Sequence, residues 1–202
     1  MMQRLCLLLL VLVLGGFSSA TVQDRAADEP AGIAEAGEPG DLGDLPLDEL
    51  FGKLAAARDE AEAQGVEVVI RARWLQAGGD TIALLMSRVM DAIFTQDYGL
   101  ALDLLDAVTQ LDPDYAEAWS QRATIHYLED DFGKALAELE RALALDPRHF
   151  GALADMGLVL KAIGEDARAF AFLERALALN PYLKEARKAR DELAPDILGR
   201  DI

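Results

Sequence analysis

Three dipeptides of the same kind recur at a fixed spacing along the chain. Asp112-Pro113, Asp146-Pro147 and Asn180-Pro181 lie 34 residues apart, and the heptapeptide LERALAL occurs at residues 139–145 and again at residues 173–179. Each dipeptide marks the end of a helix, because proline cannot continue one and disfavours the helical conformation in the residue before it. This period is typical of two antiparallel helices joined by a tight turn, a unit that buries its apolar face only by stacking on its neighbours. The sequence therefore predicts an all-α fold, a helix-turn-helix solenoid with capping helices.

The same period divides most of the chain into segments. Residues 81–181 are predicted to hold three repeats, at about 82–115, 116–149 and 150–183. Their first helices are expected near 81–95, 115–128 and 149–163, and their second helices near 98–111, 132–145 and 166–179. Residues 182–202 are predicted to form a polar capping helix, to about residue 194, and a frayed tail.

Residues 45–80 carry two amphipathic stripes with a weaker likeness to the repeats. Asp44 is predicted to cap a helix with Pro46 in its first turn, and Gly65 is predicted to end that helix. A second helix then runs to Gly78-Gly79. We interpret this segment as a divergent helical hairpin that serves as a capping repeat.

The N-terminus has the pattern of an export signal. Arg4 precedes an unbroken apolar run from Leu5 to Leu14, and Ser18-Ser19-Ala20 provides small residues at a cleavage site. The run is about half of the ~20 residues that a spanning helix needs. Residues 1–20 therefore predict a cleaved signal peptide and an exported, periplasmic protein, with an uncleaved anchor as the alternative. Residues 21–44, rich in glycine, proline and acids, predict a disordered acidic linker.

Charge and residue types exclude several classes of function. The net charge of −17 disfavours nucleic acid and anionic membrane as partners, because their phosphates would be repelled. The histidines are His126 and His149, and the chain contains no HExxH motif, no pair of cysteines and no glycine-rich phosphate loop. We therefore predict no catalytic, cofactor-binding or metal-binding residue, and we expect a protein that is not an enzyme.

The repeated units resemble the tetratricopeptide repeat (TPR) family. In that family a unit has a large apolar residue early in its first helix, a small residue where its helices cross, and two alanines and a bulky residue in its second helix. Trp119 stands at the large position of the middle unit, and Gly157 at the crossing position of the third. The alanine and bulky positions of the second helices are Ala101, Ala135, Ala169, Leu105, Leu139, Leu173, Ala142 and Ala176.

This resemblance implies a groove lined by the first helices that binds a protein or peptide segment. The family positions that face the groove correspond to Met86, Met90, Phe94, Ser120, Thr124, Tyr127, Leu128, Leu158 and Lys161. Met86 and Met90 equally suit an ordinary core. Chaperone-binding members of the family clamp a terminal carboxylate with lysines, asparagines and arginines. Smaller or apolar residues stand at these positions in this chain, which disfavours that class of ligand.

We therefore expect a protein-interaction module that needs no cofactor, acting as an adaptor, an assembly factor or a holding chaperone. The alternative is a self-associating structural solenoid whose groove takes another copy of the chain or its own tail, so a homo-oligomer stays open.

Overall fold

The computed structural model describes residues 42–199, and the predicted signal peptide and nearly all of the predicted linker lie outside this range. Within it the chain forms nine α-helices, a short 3-10 helix at Leu42–Asp44 and no strand. The prediction of an all-α fold is confirmed.

Six of these helices form the three repeats. The first helices are α3 (Gly79–Phe94), α5 (Ala116–Leu128) and α7 (Phe150–Ala162), and the second helices are α4 (Tyr98–Leu111), α6 (Phe132–Leu145) and α8 (Asp166–Leu179). The turn inside each repeat has one residue with a positive φ, at Gln96 (60°), Asp130 (59°) and Gly164 (82°), again 34 residues apart. Only the third turn uses glycine, the residue that adopts this conformation without strain.

Small residues let the helices of a repeat approach closely. Ala101, Ala135 and Ala169 are fully buried. At the crossing position of the third repeat, a Cβ on Gly157 would lie 2.6 Å from Cγ of Leu173, well inside van der Waals contact. The crossing therefore has no room for a side chain, as the resemblance implies.

The N-terminal hairpin differs from the prediction in its helix bounds. Helix α1 spans Leu47–Ala55 and helix α2 spans Glu60–Ala77, so Gly65 lies inside α2 instead of ending the first helix. Asp59 begins α2, because its side chain accepts a hydrogen bond of 2.8 Å from the backbone N–H of Glu62. Asp59 and Glu62 have the spacing of a capping box, which is the sequence signal that the prediction overlooked.

The hairpin precedes α3 in the chain and also packs against a later part of the repeats. Its apolar side chains, among them Leu50, Ile70 and Trp74, share a buried cluster with Phe150 at the start of α7. Helix α1 contacts α8, and the Tyr182 hydroxyl donates a hydrogen bond of 3.2 Å to the carbonyl oxygen of Ala57. The hairpin thus folds back over the connections that precede α7 and α9, residues 146–150 and 180–184, which we call the loop edge.

The C-terminal cap is longer than predicted. Helix α9 spans Lys184–Leu198 and includes Pro195, where a frayed tail was expected. Leu193 is 5% exposed, and Ile197, one turn later, packs against the same core. These apolar contacts hold the last turn in place despite the backbone donor that Pro195 lacks.

Candidate partner-binding surface

The predicted groove residues fall into three groups that sequence position did not distinguish. Two are buried, four are partly exposed and already have contacts inside the chain, and three are exposed. The buried pair is Met86 and Ser120, the contacting group is Thr124, Tyr127, Leu158 and Lys161, and the exposed group is Met90, Phe94 and Leu128.

The two buried residues cannot contact a partner as the fold stands. Met86 is 2% exposed and packs in a core cluster with Val89 and Leu105. Ser120 is 4% exposed. For Met86 the core alternative is the one that the structure supports.

The contacting group is tied to the repeats themselves. Thr124 Oγ1 donates a hydrogen bond of 3.0 Å to Asp155 Oδ2, which joins α5 to α7. The ring of Tyr127 lies 6.0 Å from that of Phe132 at a tilt of 46°, so this tyrosine contributes to packing. Leu158 packs against the core of the later repeats, and Lys161 pairs with Glu192 of α9.

The exposed group occupies corresponding positions on two successive first helices, and we call these three residues the open strip. Met90 and Phe94 are one turn apart on α3 and are 53% and 84% exposed, and Leu128 is 51% exposed. Leu128 occupies on α5 the repeat position that Phe94 occupies on α3. The strip therefore follows the C-terminal parts of two successive first helices.

Acidic residues flank the open strip. Asp91 follows Met90 on α3, while Glu129 and Asp130 follow Leu128, and all three side chains are exposed. These carboxylates surround the strip with negative charge, which attracts basic residues.

At the loop edge the hairpin is fixed by a buried histidine. The rings of Trp74 and His149 stack with centroids 4.3 Å apart and planes within 4°. His149 Nδ1 accepts a hydrogen bond of 3.0 Å from the Ala152 N–H, so Nε2 is the protonated nitrogen and donates to Glu117 Oε2 at 2.8 Å. Burial opposes the ionisation of Glu117, but the hydrogen bonds from His149 and Gln121 and the charge of Arg71 lower its pKa overall. The imidazole thus connects α2, α5 and the start of α7.

A second carboxylate, that of Asp155, lies near His149 and Glu117. Burial raises the pKa of Asp155, against the opposing influence of the Thr124 hydroxyl, of His149 and of Arg71 on α2. Sequence analysis identified neither Glu117 nor Asp155, because the contact with α2 joins segments far apart in the chain and leaves no periodic signal.

The part of the chain from residue 42 to residue 199 contains no group of three or more His, Cys, Asp or Glu side chains placed to hold a metal ion. No helix in it has the length and apolar character needed to span a bilayer. His126 is 6% exposed, its Nδ1 has no hydrogen-bond partner within the described range, and burial lowers its pKa, so this histidine is a packed, neutral residue.

Comparison with known families and sequences supports the resemblance. The family described as "Tetratricopeptide repeat" matches residues 116–149, the second repeat. A TPR repeat-containing protein of Rhizobium etli is 42% identical over 82 residues, which cover 41% of this chain and 40% of that protein. The chain thus spans less than half the length of this relative.

Solved structures show the same fold. The first TPR domain of Spaghetti (RPAP3), bound to an HSP90 peptide, superposes with a TM-score of 0.55 at 21% identity, covering 57% of this chain and 92% of that one. The TPR domain of Arabidopsis OM64 gives 0.55 at 19% identity, covering 61% and 99%. An O-GlcNAc transferase of Thermobaculum terrenum gives 0.51 at 28% identity, covering 64% of this chain and 26% of that one.

Proposed function

We propose that this chain, which contains tetratricopeptide repeats, is a protein-interaction module that binds an apolar segment of another protein along the open strip. The observation that carries this proposal is the exposure of Phe94, 84% for a large aromatic side chain, beside Met90 and in register with Leu128. Contiguous exposed apolar residues with a polar surround mark interaction sites. Met adapts its shape to a partner, and an aromatic anchor commonly supplies much of the binding energy.

The charge of the surface favours one chemical class of partner segment. The Spaghetti domain, which has the same fold, is seen with an HSP90 peptide. In this chain the exposed acids Asp91, Glu129 and Asp130 flank the open strip. Such a surface repels an acidic C-terminus and favours a segment with apolar residues between basic ones.

The N-terminal sequence supports a more specific role for the interaction module. The signal-like residues 1–20 support export, and the absence of catalytic motifs supports an adaptor, an assembly factor or a holding chaperone in the periplasm. In each of these roles the strip would hold a partner without changing it chemically.

The test is quantitative affinity purification from the native cell with three baits. These are the wild-type chain, the strip variant Met90→Ala/Phe94→Ala, and a control variant Leu111→Ala, in which a side chain 62% exposed on α4 is truncated. Loss of one anchor costs about 2 kcal/mol of binding, or roughly 30-fold in affinity.

The informative result is a protein recovered by the wild type and by Leu111→Ala but not by the strip variant. All three baits should melt alike, because the truncated side chains are exposed. Equal recovery by a folded strip variant would refute the assignment of the strip.

A second candidate is the self-associating solenoid, supported by the docking of the chain's own hairpin on the loop edge. Light scattering distinguishes the candidates. If the mass rises with concentration in the wild type but not in the strip variant, the groove mediates self-association and the second candidate is supported. If the wild type and the strip variant have the same mass at every concentration, the interaction module is supported.

A further inference from the structure

A pair of glycines is the only interruption between two long helices. Helix α2 ends at Ala77 and helix α3 begins at Gly79. Gly78 keeps a right-handed backbone with φ −80° and ψ −3°, whereas Gly79 has a φ of +75°. Glycine passes between the left-handed and right-handed regions at little cost. Rotation at Gly79 would join α2 and α3 into one helix from Glu60 to Phe94 and would lift the hairpin from its own loop edge.

The contacts that hold the hairpin do not involve this glycine pair. Trp74 stacks on His149, the Asn180 amide donates a hydrogen bond of 2.8 Å to Glu67 Oε2, and the Lys184 ammonium lies 2.7 Å from Glu60 Oε1. Each contact joins the hairpin to the loop edge, and none depends on which copy of the chain supplies the hairpin. When two copies exchange an identical element, the interface is preserved and only the hinge changes.

We propose that the loop edge is an interaction surface for a second copy of this chain, and that two copies exchange their α1–α2 hairpins by rotation at Gly79. The edge offers an imidazole for stacking, an amide for a carboxylate and an ammonium for a second carboxylate, in the order in which α2 presents Trp74, Glu67 and Glu60. An unrelated helix would need a suitable side chain for each of these three groups, whereas a second copy of this chain carries the same α2 and therefore has all three.

The hinge is tested by matched glycine substitutions in the full chain. A Cβ on Gly79 or on Gly164 would meet no heavy atom of residues 42–199 within 4 Å, and the two residues have similar φ values of +75° and +82°. Alanine therefore disfavours the left-handed backbone equally at both sites, without a clash. The cost is about tenfold per chain. Hairpin exchange removes this cost only at Gly79, because both the monomer and the exchanged dimer retain the left-handed turn at Gly164.

Sedimentation equilibrium measures the dimer dissociation constant. We expect Gly79→Ala to lower it by about 100-fold, since each dimer contains two hinges, and Gly164→Ala to leave it unchanged. A Gly79→Ala chain that stays monomeric and is only less stable, as Gly164→Ala is, would overturn the proposal.

The wild-type chain provides a second measurement that does not depend on a variant. Isotopically labelled and unlabelled copies are mixed at high concentration and treated with a zero-length reagent that joins carboxylates to amines. The expected product is a mixed-isotope crosslink between Glu60 and Lys184, which forms only between copies. If every Glu60–Lys184 crosslink carries a single isotope under conditions where dimer is present, the hairpin stays on its own chain and exchange is refuted.

Discussion

The crossing inside the third repeat gives a sharp test of the packing, through Gly157→Ala. The added Cβ would lie 2.6 Å from Cγ and 2.7 Å from Cδ2 of Leu173, and 3.2 Å from the Ala169 carbonyl oxygen. Optimal separation between carbon atoms is about 3.5–4.0 Å, so the overlap approaches 1 Å. Leu173 is fully buried, and the third contact is with backbone. The overlap is therefore relieved only by a shift of packed groups.

The size of the effect follows from two opposing contributions. Overpacking costs about 1–3 kcal/mol, and the rigid surroundings favour the upper part of that range. Alanine recovers about 1 kcal/mol, because it is a better helix former than glycine. The free energy of unfolding should fall by about 2 kcal/mol, which lowers Tm by roughly 4–8 °C for a chain of this size.

Gly65→Ala is the matched control. Gly65 also lies inside a helix, but a Cβ there would meet no heavy atom within 4 Å, so only the gain in helix propensity applies. Its Tm should rise by roughly 2–4 °C. Thermal melts followed by circular dichroism compare both variants with the wild type. If Gly157→Ala melts at or above the wild-type temperature, the helices of the third repeat do not cross at Gly157.

Three further predictions concern the loop edge and the N-terminus. Because burial raises the pKa of Asp155, its ionisation costs stability as pH rises through that raised pKa, and the cost is absent below the ordinary value of 3.8. Asp155→Asn should therefore match the wild-type Tm in acid and exceed it at neutral pH, and a constant difference would contradict this. Trp74→Ala should cost about 3 kcal/mol or more and speed amide exchange in the hairpin, while unchanged exchange would show that the stack on His149 does not hold it. N-terminal sequencing of the protein from its native cell should begin at Thr21, and an intact chain in the membrane fraction would refute cleavage.

The repeats were predictable because their signals are local and periodic. The predicted bounds of α4, α6 and α8 agree with the structure residue for residue. Asp97 and Asp131 cap two of these helices, because their carboxylates accept hydrogen bonds of 3.1 and 3.2 Å from the backbone N–H groups of Leu100 and Lys134. Asp-Pro or Asn-Pro follows each helix end. Caps and breakers of this kind act within a few residues, so a single sequence displays them.

The hairpin and the accessibility of the groove were not predictable in the same way. Trp74 contacts His149, which lies far along the chain, and a contact of this kind produces no periodic pattern in the sequence. Met86 and Met90 are one helical turn apart, yet the first is buried and the second is half exposed. Which side of a helix its neighbours cover depends on the packing of the whole array, and residue type alone does not reveal it.

The central claim is that a partner occupies the open strip, and methionine methyl groups report on it directly. The chain is labelled with ¹³C-methyl methionine and titrated with the partner identified by affinity purification. Met90 is 53% exposed in the strip, whereas Met86 and Met156 are 2% and 3% exposed and serve as internal controls. We predict that the Met90 methyl signal shifts in proportion to the bound fraction while the signals of Met86 and Met156 stay in place. A Met90 signal that is unmoved at saturation would contradict the account.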